Sequence, residues 1–211
     1  MDPVVDATDV SVVLDGEVLL PPTSLRVHPG TSLAIRGRNG SGKTTLLRVL
    51  AGLMGATSGT ALVGGRPVDE RTPAFRRTLA ALIGPPAFAR DLTVREHLRF
   101  IGHSWGLSST QADASADELL ERLGLTALAA RFAHELSSGQ LQLFSLAVTL
   151  ARPCDVLLLD EPEQRLDADR REMVAAVLRE RVTAGCALIF SSHNGALISA
   201  LAENTITVAE P

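Results

Sequence analysis

Gly37-Arg38-Asn39-Gly40-Ser41-Gly42-Lys43-Thr44 decides how this chain is read. The stretch fits G-x-x-x-x-G-K-[ST], a phosphate-binding loop. Its flanks agree: Thr31 to Arg36 reads as a short buried strand, and Thr45 to Met54 has the apolar spacing of a helix. Glycines let backbone wrap closely around an anion because they carry no Cβ. Successive amides through Thr45, with the helix N-terminus, then face the phosphates. Lys43 supplies a mobile positive charge for the β- and γ-phosphates, and the Thr44 hydroxyl can ligate Mg²⁺. A Gly-rich turn can match the bare pattern by chance; the strand before it and the helix after it separate the two readings. Lys43 is also the only lysine, every other member of the 20 Lys and Arg being arginine. An ammonium point charge and a planar guanidinium do different jobs.

Outward from the loop, 211 residues suffice for one well-buried domain with an inserted lobe. The formal net charge of −4 argues against wholesale nucleic-acid binding, and no nucleic-acid partner is expected. No apolar run approaches the length of a membrane span. The opening Met1-Asp2-Pro3-Val4 lacks the basic and apolar regions of a signal peptide, so the expected location is the cytoplasm. Cys154 and Cys186 form no C-x-x-C pair and read as reduced core cysteines. Tyrosine is absent.

Val10 to Leu14 and Ser24 to His28 alternate like half-buried strands, with Asp15-Gly16 as a turn and Pro21-Pro22 interrupting the second. Further on, Thr60 to Gly64 and Leu79 to Ile83 read as strands, and Pro73 to Arg77 as a short basic helix. Thr93-Val94-Arg95-Glu96 is a capping box that starts a helix running to about Ser104. Gln111 to Leu123 and Ala127 to Phe132 also read as helical, making 85–136 an all-helical lobe between two core portions, 1–84 and 137–211. Trp105 ends the first lobe helix, as a packed aromatic or a partner anchor. His97, His103 and His134 read as surface or lobe residues. Ser137 opens a helix to about Ala151, Val156 to Leu159 is an apolar strand, Ala168 to Val182 is a helix, Ala187 to Phe190 is a strand, and Asn204 to Val208 is the last. The alternation implies an α/β fold: a mainly parallel sheet covered by helices, with an antiparallel β portion near the N-terminus.

Asp160 ends an apolar strand, where acidic groups face the crevice of a parallel sheet, and is placed to hold Mg²⁺ directly or through water. Glu161 follows as a general base for the attacking water. His193 also follows a strand and can sense a γ-phosphate by hydrogen bond. Each could instead be an ordinary turn residue; the phosphate loop upstream favours the chemistry.

These pieces together resemble the nucleotide-binding domain of ABC-type ATPases. Leu136-Ser137-Ser138-Gly139-Gln140 resembles the family signature, Leu166-Asp167 its D-loop and Ser192-His193 its switch histidine. The motifs appear in family order over about 10–208. The resemblance implies a P-loop ATPase core, ATP and Mg²⁺ as cofactors, and two nucleotide-binding domains sandwiching ATP head to tail. Ser137, Ser138, Gly139 and Gln140 would then contact the nucleotide bound to the other copy. It also implies catalytic roles for Lys43, Glu161 and His193, and a separate membrane-spanning subunit docked on the lobe, with this chain peripheral on the inner membrane face.

Several positions depart from the family. Leu14 stands where an aromatic commonly stacks on adenine, a loss of about 1–3 kcal/mol if stacking on single-stranded bases is a guide. Gly84 stands where a glutamine usually links lobe to site. The D-loop reads Gln164-Arg165-Leu166-Asp167, and Leu141 and Leu143 replace polar residues. The expected activity is ATP hydrolysis, slow if these changes matter. Beside a transporter subunit stand two alternatives: a soluble ABC-type ATPase unconnected to transport, and a hydrolysis-weak regulatory partner in a heterodimer.

Overall fold

A computed structural model describes residues 2–209. β1 (Val5–Leu14) and β2 (Glu17–Val27) form a hairpin; β3 (Ser32–Arg36) and α1 (Lys43–Leu50) flank the phosphate loop. β4 (Ser58–Val63) returns to pair with β1, followed by β5 (Arg66–Pro67), α2 (Pro73–Thr78) and β6 (Leu79–Leu82). The lobe holds α3 (Val94–Ser104) and α4 (Ser109–Arg122). Then come α5 (Ser138–Leu150), β7 (Val156–Asp160), α6 (Ala168–Thr183), β8 (Ala187–Ser191), α7 (Gly195–Leu201) and β9 (Asn204–Thr207). One sheet, β2-β1-β4-β5, is antiparallel; the other, β6-β7-β8-β3-β9, is parallel throughout.

β6, β7 and β8 are apolar almost without alternation because both faces are covered, whereas β9 at the edge is polar and mostly exposed. Leu157 and Leu159 of β7 face a core shared with α5, α6 and the lobe, while Val156 and Leu158 face a second core shared with α1 and the antiparallel sheet. Successive side chains of a strand point to opposite faces, so one strand feeds two cores. Register fixes the site: Asp160 lies beside Ser191, and Ser191 beside Ile35. The phosphate loop, Asp160 and the segment after β8 therefore emerge at the same edge, where ligands of open α/β sheets bind.

The structure departs from the sequence reading in three places. β2 runs unbroken through Pro21 and Pro22. It is an edge strand, where a missing N–H is tolerated, and the ladder shifts register between Val10–Thr23 and Val12–Leu20 to accommodate the prolines. β1 begins at Val5, earlier than the alternation suggested. Ala127 to Phe132 is not a continuous helix: a 3₁₀ turn covers Thr126–Leu128 and a second covers Ala133–Glu135. The intervening carbonyls have other work. Those of Ala129 and Arg131 accept the N–H groups of Arg95 (3.0 Å) and Val94 (2.8 Å), donors that the first turn of α3 leaves open. Of the histidines read as surface or lobe residues, His97 is a buried member of the lobe helix α3. The Ala89 N–H donates to its Nε2 at 3.0 Å, so Nδ1 carries the proton and donates to the Thr93 carbonyl at 2.8 Å. Its ring meets Phe88 and Phe144 edge-on, pinning the loop that enters the lobe.

The capping box at Thr93 forms as expected, and Ser137, expected to open a helix, does so with a capping box of its own. Trp105 caps the end of α3 and lies under the Arg152 guanidinium, 5.3 Å from the ring centroid. Both cysteines are free, Cys186 buried and Cys154 half-buried.

Candidate active site

The phosphate loop closes back on itself through Lys43. Its Nζ donates to the carbonyls of Gly37 and Arg38, each at 2.9 Å, so the ammonium is held over the loop's mouth. Gly42, just ahead of α1, has φ +100°, and a Cβ there would lie 2.6 Å from the Leu19 carbonyl. Only glycine fits both the left-handed backbone and the close approach of β2. A cavity of about 500 Å³ opens above the loop, lined by Asn39, Gly40, Gly42, Lys43, Thr44 and Thr45, with Val18 and Leu19 of β2 and with Glu161. A second opening beside Gly37 and Arg38, about 630 Å³, includes Ser192 and His193. Leu14, the expected adenine-stacking position, is an exposed aliphatic side chain.

Behind the loop stand hard oxygen donors. The Thr44 hydroxyl donates to Asp160 Oδ2 at 2.7 Å, and the Ser191 hydroxyl to Asp160 Oδ1 at 2.5 Å. A hydroxyl and a carboxylate at the mouth of a phosphate loop fit Mg²⁺, which takes few protein ligands and completes its shell with water and phosphate oxygens. No cluster of three or more His, Cys, Asp or Glu residues suited to a metal occurs among the described residues.

Glu161 sits at φ +49°, an uncommon conformation for a side-chain-bearing residue. Its N–H is shared between the Ser191 carbonyl (3.2 Å) and hydroxyl (3.1 Å), which tethers it to β8. His193 Nε2 lies 3.3 Å from Glu161 Oε1, and Gln164 Nε2 donates to Glu161 Oε2 at 3.1 Å. From α5, Gln142 Nε2 reaches the Pro162 carbonyl at 3.2 Å. The neighbouring Glu163 is buried; the Ser192 hydroxyl donates to its Oε1, and the Asn194 N–H donates to Ser192 Oγ. Burial pushes the Glu163 carboxyl above the ordinary glutamate range, with the Glu161 charge adding to the shift against its hydrogen bonds.

The expected site residues thus fall into two groups. The loop residues 37–45, Asp160, Glu161 and His193 lie together at one end of the parallel strands, around two neighbouring openings that the Glu161–His193 contact joins. Ser137, Ser138, Gly139 and Gln140 instead form the start of α5, with Ser137 and Gln140 exchanging the two bonds of a capping box. There Gly139 lies against the D-loop, a Cβ on it falling 2.8 Å from the Arg165 carbonyl. Gly84 has φ +75° and open space around it. Leu143 is buried and Leu141 packs on the same core, so both aliphatic departures serve packing. Gln142, Glu163, Gln164 and Ser191 escaped the sequence reading. Gln164 stood out only as part of an unusual D-loop, and nothing in the spacing marked Glu163, Gln142 or Ser191.

The family model described as ABC transporter matches residues 20–164, which include the phosphate loop, the signature-like segment and Asp160-Glu161. The chain belongs to the ABC transporter family. It is 31% identical over 193 residues to the Nod factor export ATP-binding protein I of Cupriavidus metallidurans, covering 92% of this chain and 64% of that protein. It is 36% identical over 192 residues to the Fe(3+) ions import ATP-binding protein FbpC of Brucella melitensis, covering 90% and 54%. Against the putative 2-aminoethylphosphonate import ATP-binding protein PhnT of Salmonella typhimurium the figures are 36% over 169 residues, 80% and 46%. The chain therefore spans about half to two thirds of the length of these relatives. A solved ATP-binding subunit of an ABC transporter shares the fold, with a TM-score of 0.87 at 23% identity over 97% of this chain and 85% of that one. No helix among the described residues is long and apolar enough to cross a membrane.

Proposed function

We propose that this chain binds and hydrolyses ATP and powers transport through a separate membrane-spanning subunit, working with a second nucleotide-binding domain in a head-to-tail sandwich on the inner face of the membrane. The observation that carries this reading is the meeting of Lys43, the Thr44–Asp160 pair and the Glu161–His193 pair at one end of the parallel strands. The amides of residues 39–45 and Lys43 bind the β- and γ-phosphates. Thr44 and Asp160 would hold Mg²⁺, which would supply positive charge to offset that of the phosphates. Glu161 accepts a proton from water aligned with the γ-phosphate. His193, within hydrogen-bond reach of Glu161, orients that carboxylate and contacts the γ-phosphate. Ser137, Ser138, Gly139 and Gln140 offer a capped helix start to the nucleotide of the other copy, where N–H groups and the positive end of α5 favour an anion.

The test is phosphate release from Mg-ATP by the purified protein against Glu161→Gln. Losing a general base costs about 10²–10⁴-fold. The wild-type rate should therefore exceed that of the variant by at least about a hundredfold. Equal background rates would overturn the hydrolytic reading.

A further inference from the structure

The base Glu161 is held by Gln164 of the D-loop, and the segment that bears His193 is held by Glu163, just before Gln164. Gln164 Nε2 donates to Glu161 Oε2, the carboxylate oxygen opposite the one that faces His193. Glu163, immediately before it, turns inward. Its carboxyl is buried, Oε1 accepts the Ser192 hydroxyl, and Ser192 Oγ in turn accepts the Asn194 N–H across His193. Thus one dipeptide reaches the base on one side and the segment bearing His193 on the other. Glu163 Oε2 has no hydrogen-bond partner although it is buried. Retaining an acid here costs stability that an apolar residue would not, so packing alone does not explain it. At Gly84 no side chain is available to reach the crevice from the lobe.

We propose that Glu163 and Gln164 are positioning residues that clamp Glu161 and His193 in their mutual geometry. This inference rests on the hydrolytic reading above. Glu161 carries a strained φ and a partly exposed carboxylate (its side chain is 32% accessible), so its rotamer is not set by packing. Gln164 supplies the hydrogen bond that selects the rotamer also within reach of His193. Glu163 holds Ser192, and so the backbone on which His193 hangs. The clamp acts on the base and not on the phosphates, which Lys43 and the loop bind on their own.

The experiment compares wild type, Gln164→Met, Glu163→Met and Glu163→Gln for kcat and for KM of Mg-ATP, with nucleotide affinity measured separately. Methionine keeps length and removes the hydrogen bond. Both methionine variants should lose about tenfold to a hundredfold in kcat, the scale of a small misplacement of a reacting group, with KM and nucleotide affinity within about twofold of wild type. Glu163→Gln keeps an oxygen to accept from Ser192 and should restore most of kcat. Two results would overturn the clamp: methionine variants with wild-type kcat, or Glu163→Gln as impaired as Glu163→Met. A kcat loss accompanied by an equal loss of nucleotide affinity would also overturn it, as a general disturbance of the site. A wild-type rate no higher than that of Glu161→Gln would instead remove the hydrolytic reading, and the clamp with it.

Discussion

Gly139→Ala sets two ordinary effects against each other. In a helix the change normally stabilises by about 0.5–1 kcal/mol, because glycine loses more backbone freedom on folding. Here the added Cβ would stand 2.8 Å from the Arg165 carbonyl oxygen, about 0.6 Å inside the 3.4 Å at which ordinary contact begins. The obstacle is backbone, and it has little slack. Arg165 is already at φ +66°, a conformation costing a side-chain-bearing residue about 1–2 kcal/mol. The next residue, Leu166, is buried, and its N–H donates to the Glu163 carbonyl at 3.2 Å. Overpacking of this kind costs about 1–3 kcal/mol, so the net effect is destabilisation by about 1 kcal/mol, or about 2–4 °C in Tm for a chain of this size. The kinetic effect is larger. A D-loop displaced by about 0.6 Å carries Gln164 from 3.1 Å to beyond hydrogen-bond range of Glu161, and kcat should fall at least about tenfold. Thermal unfolding and single-variant phosphate release measure the two. A Tm raised by the helix-propensity gain together with unchanged kcat would refute the claim that signature and D-loop are in contact.

Two other expectations follow from the same geometry. Gly42→Ala must place a Cβ 2.6 Å from the Leu19 carbonyl at φ +100°, so the loop should distort and the affinity for a fluorescent ATP analogue should fall by at least about tenfold; unchanged affinity would contradict the loop geometry. Glu163 has a carboxyl whose pKa folding raises, chiefly by burial, so the folded state binds more protons than the unfolded one above the ordinary glutamate value of 4.5. Its contribution to stability is fully present below that value and is lost as pH rises through the folded-state pKa. The Tm of Glu163→Gln relative to wild type should therefore climb as pH rises from about 4 toward 8, and a flat difference would show that Glu163 titrates normally.

The phosphate loop and Asp160 were legible in the sequence because their chemistry is local. A loop that wraps an anion needs its glycines and lysine at set spacing, and an apolar strand that ends in a carboxylate announces its own end. The parallel sheet was legible for a similar reason, since strands covered on both faces are apolar throughout, as in Val156 to Leu159. Capping boxes at Thr93 and Ser137 are likewise written within four residues. Tertiary structure decided whatever depends on a distant backbone. Pro21 and Pro22 stay within β2 because that strand lies at an edge, which no local pattern states. Residues 129–131 forgo a helix because their carbonyls serve α3. Gln164 and Glu163 matter through Glu161 and Ser192, the last of these 29 residues from Glu163, and only the pairing of β7 with β8 brings the two together. Spacing can show which side chains could do chemistry; which of them share a crevice is set by how the strands align.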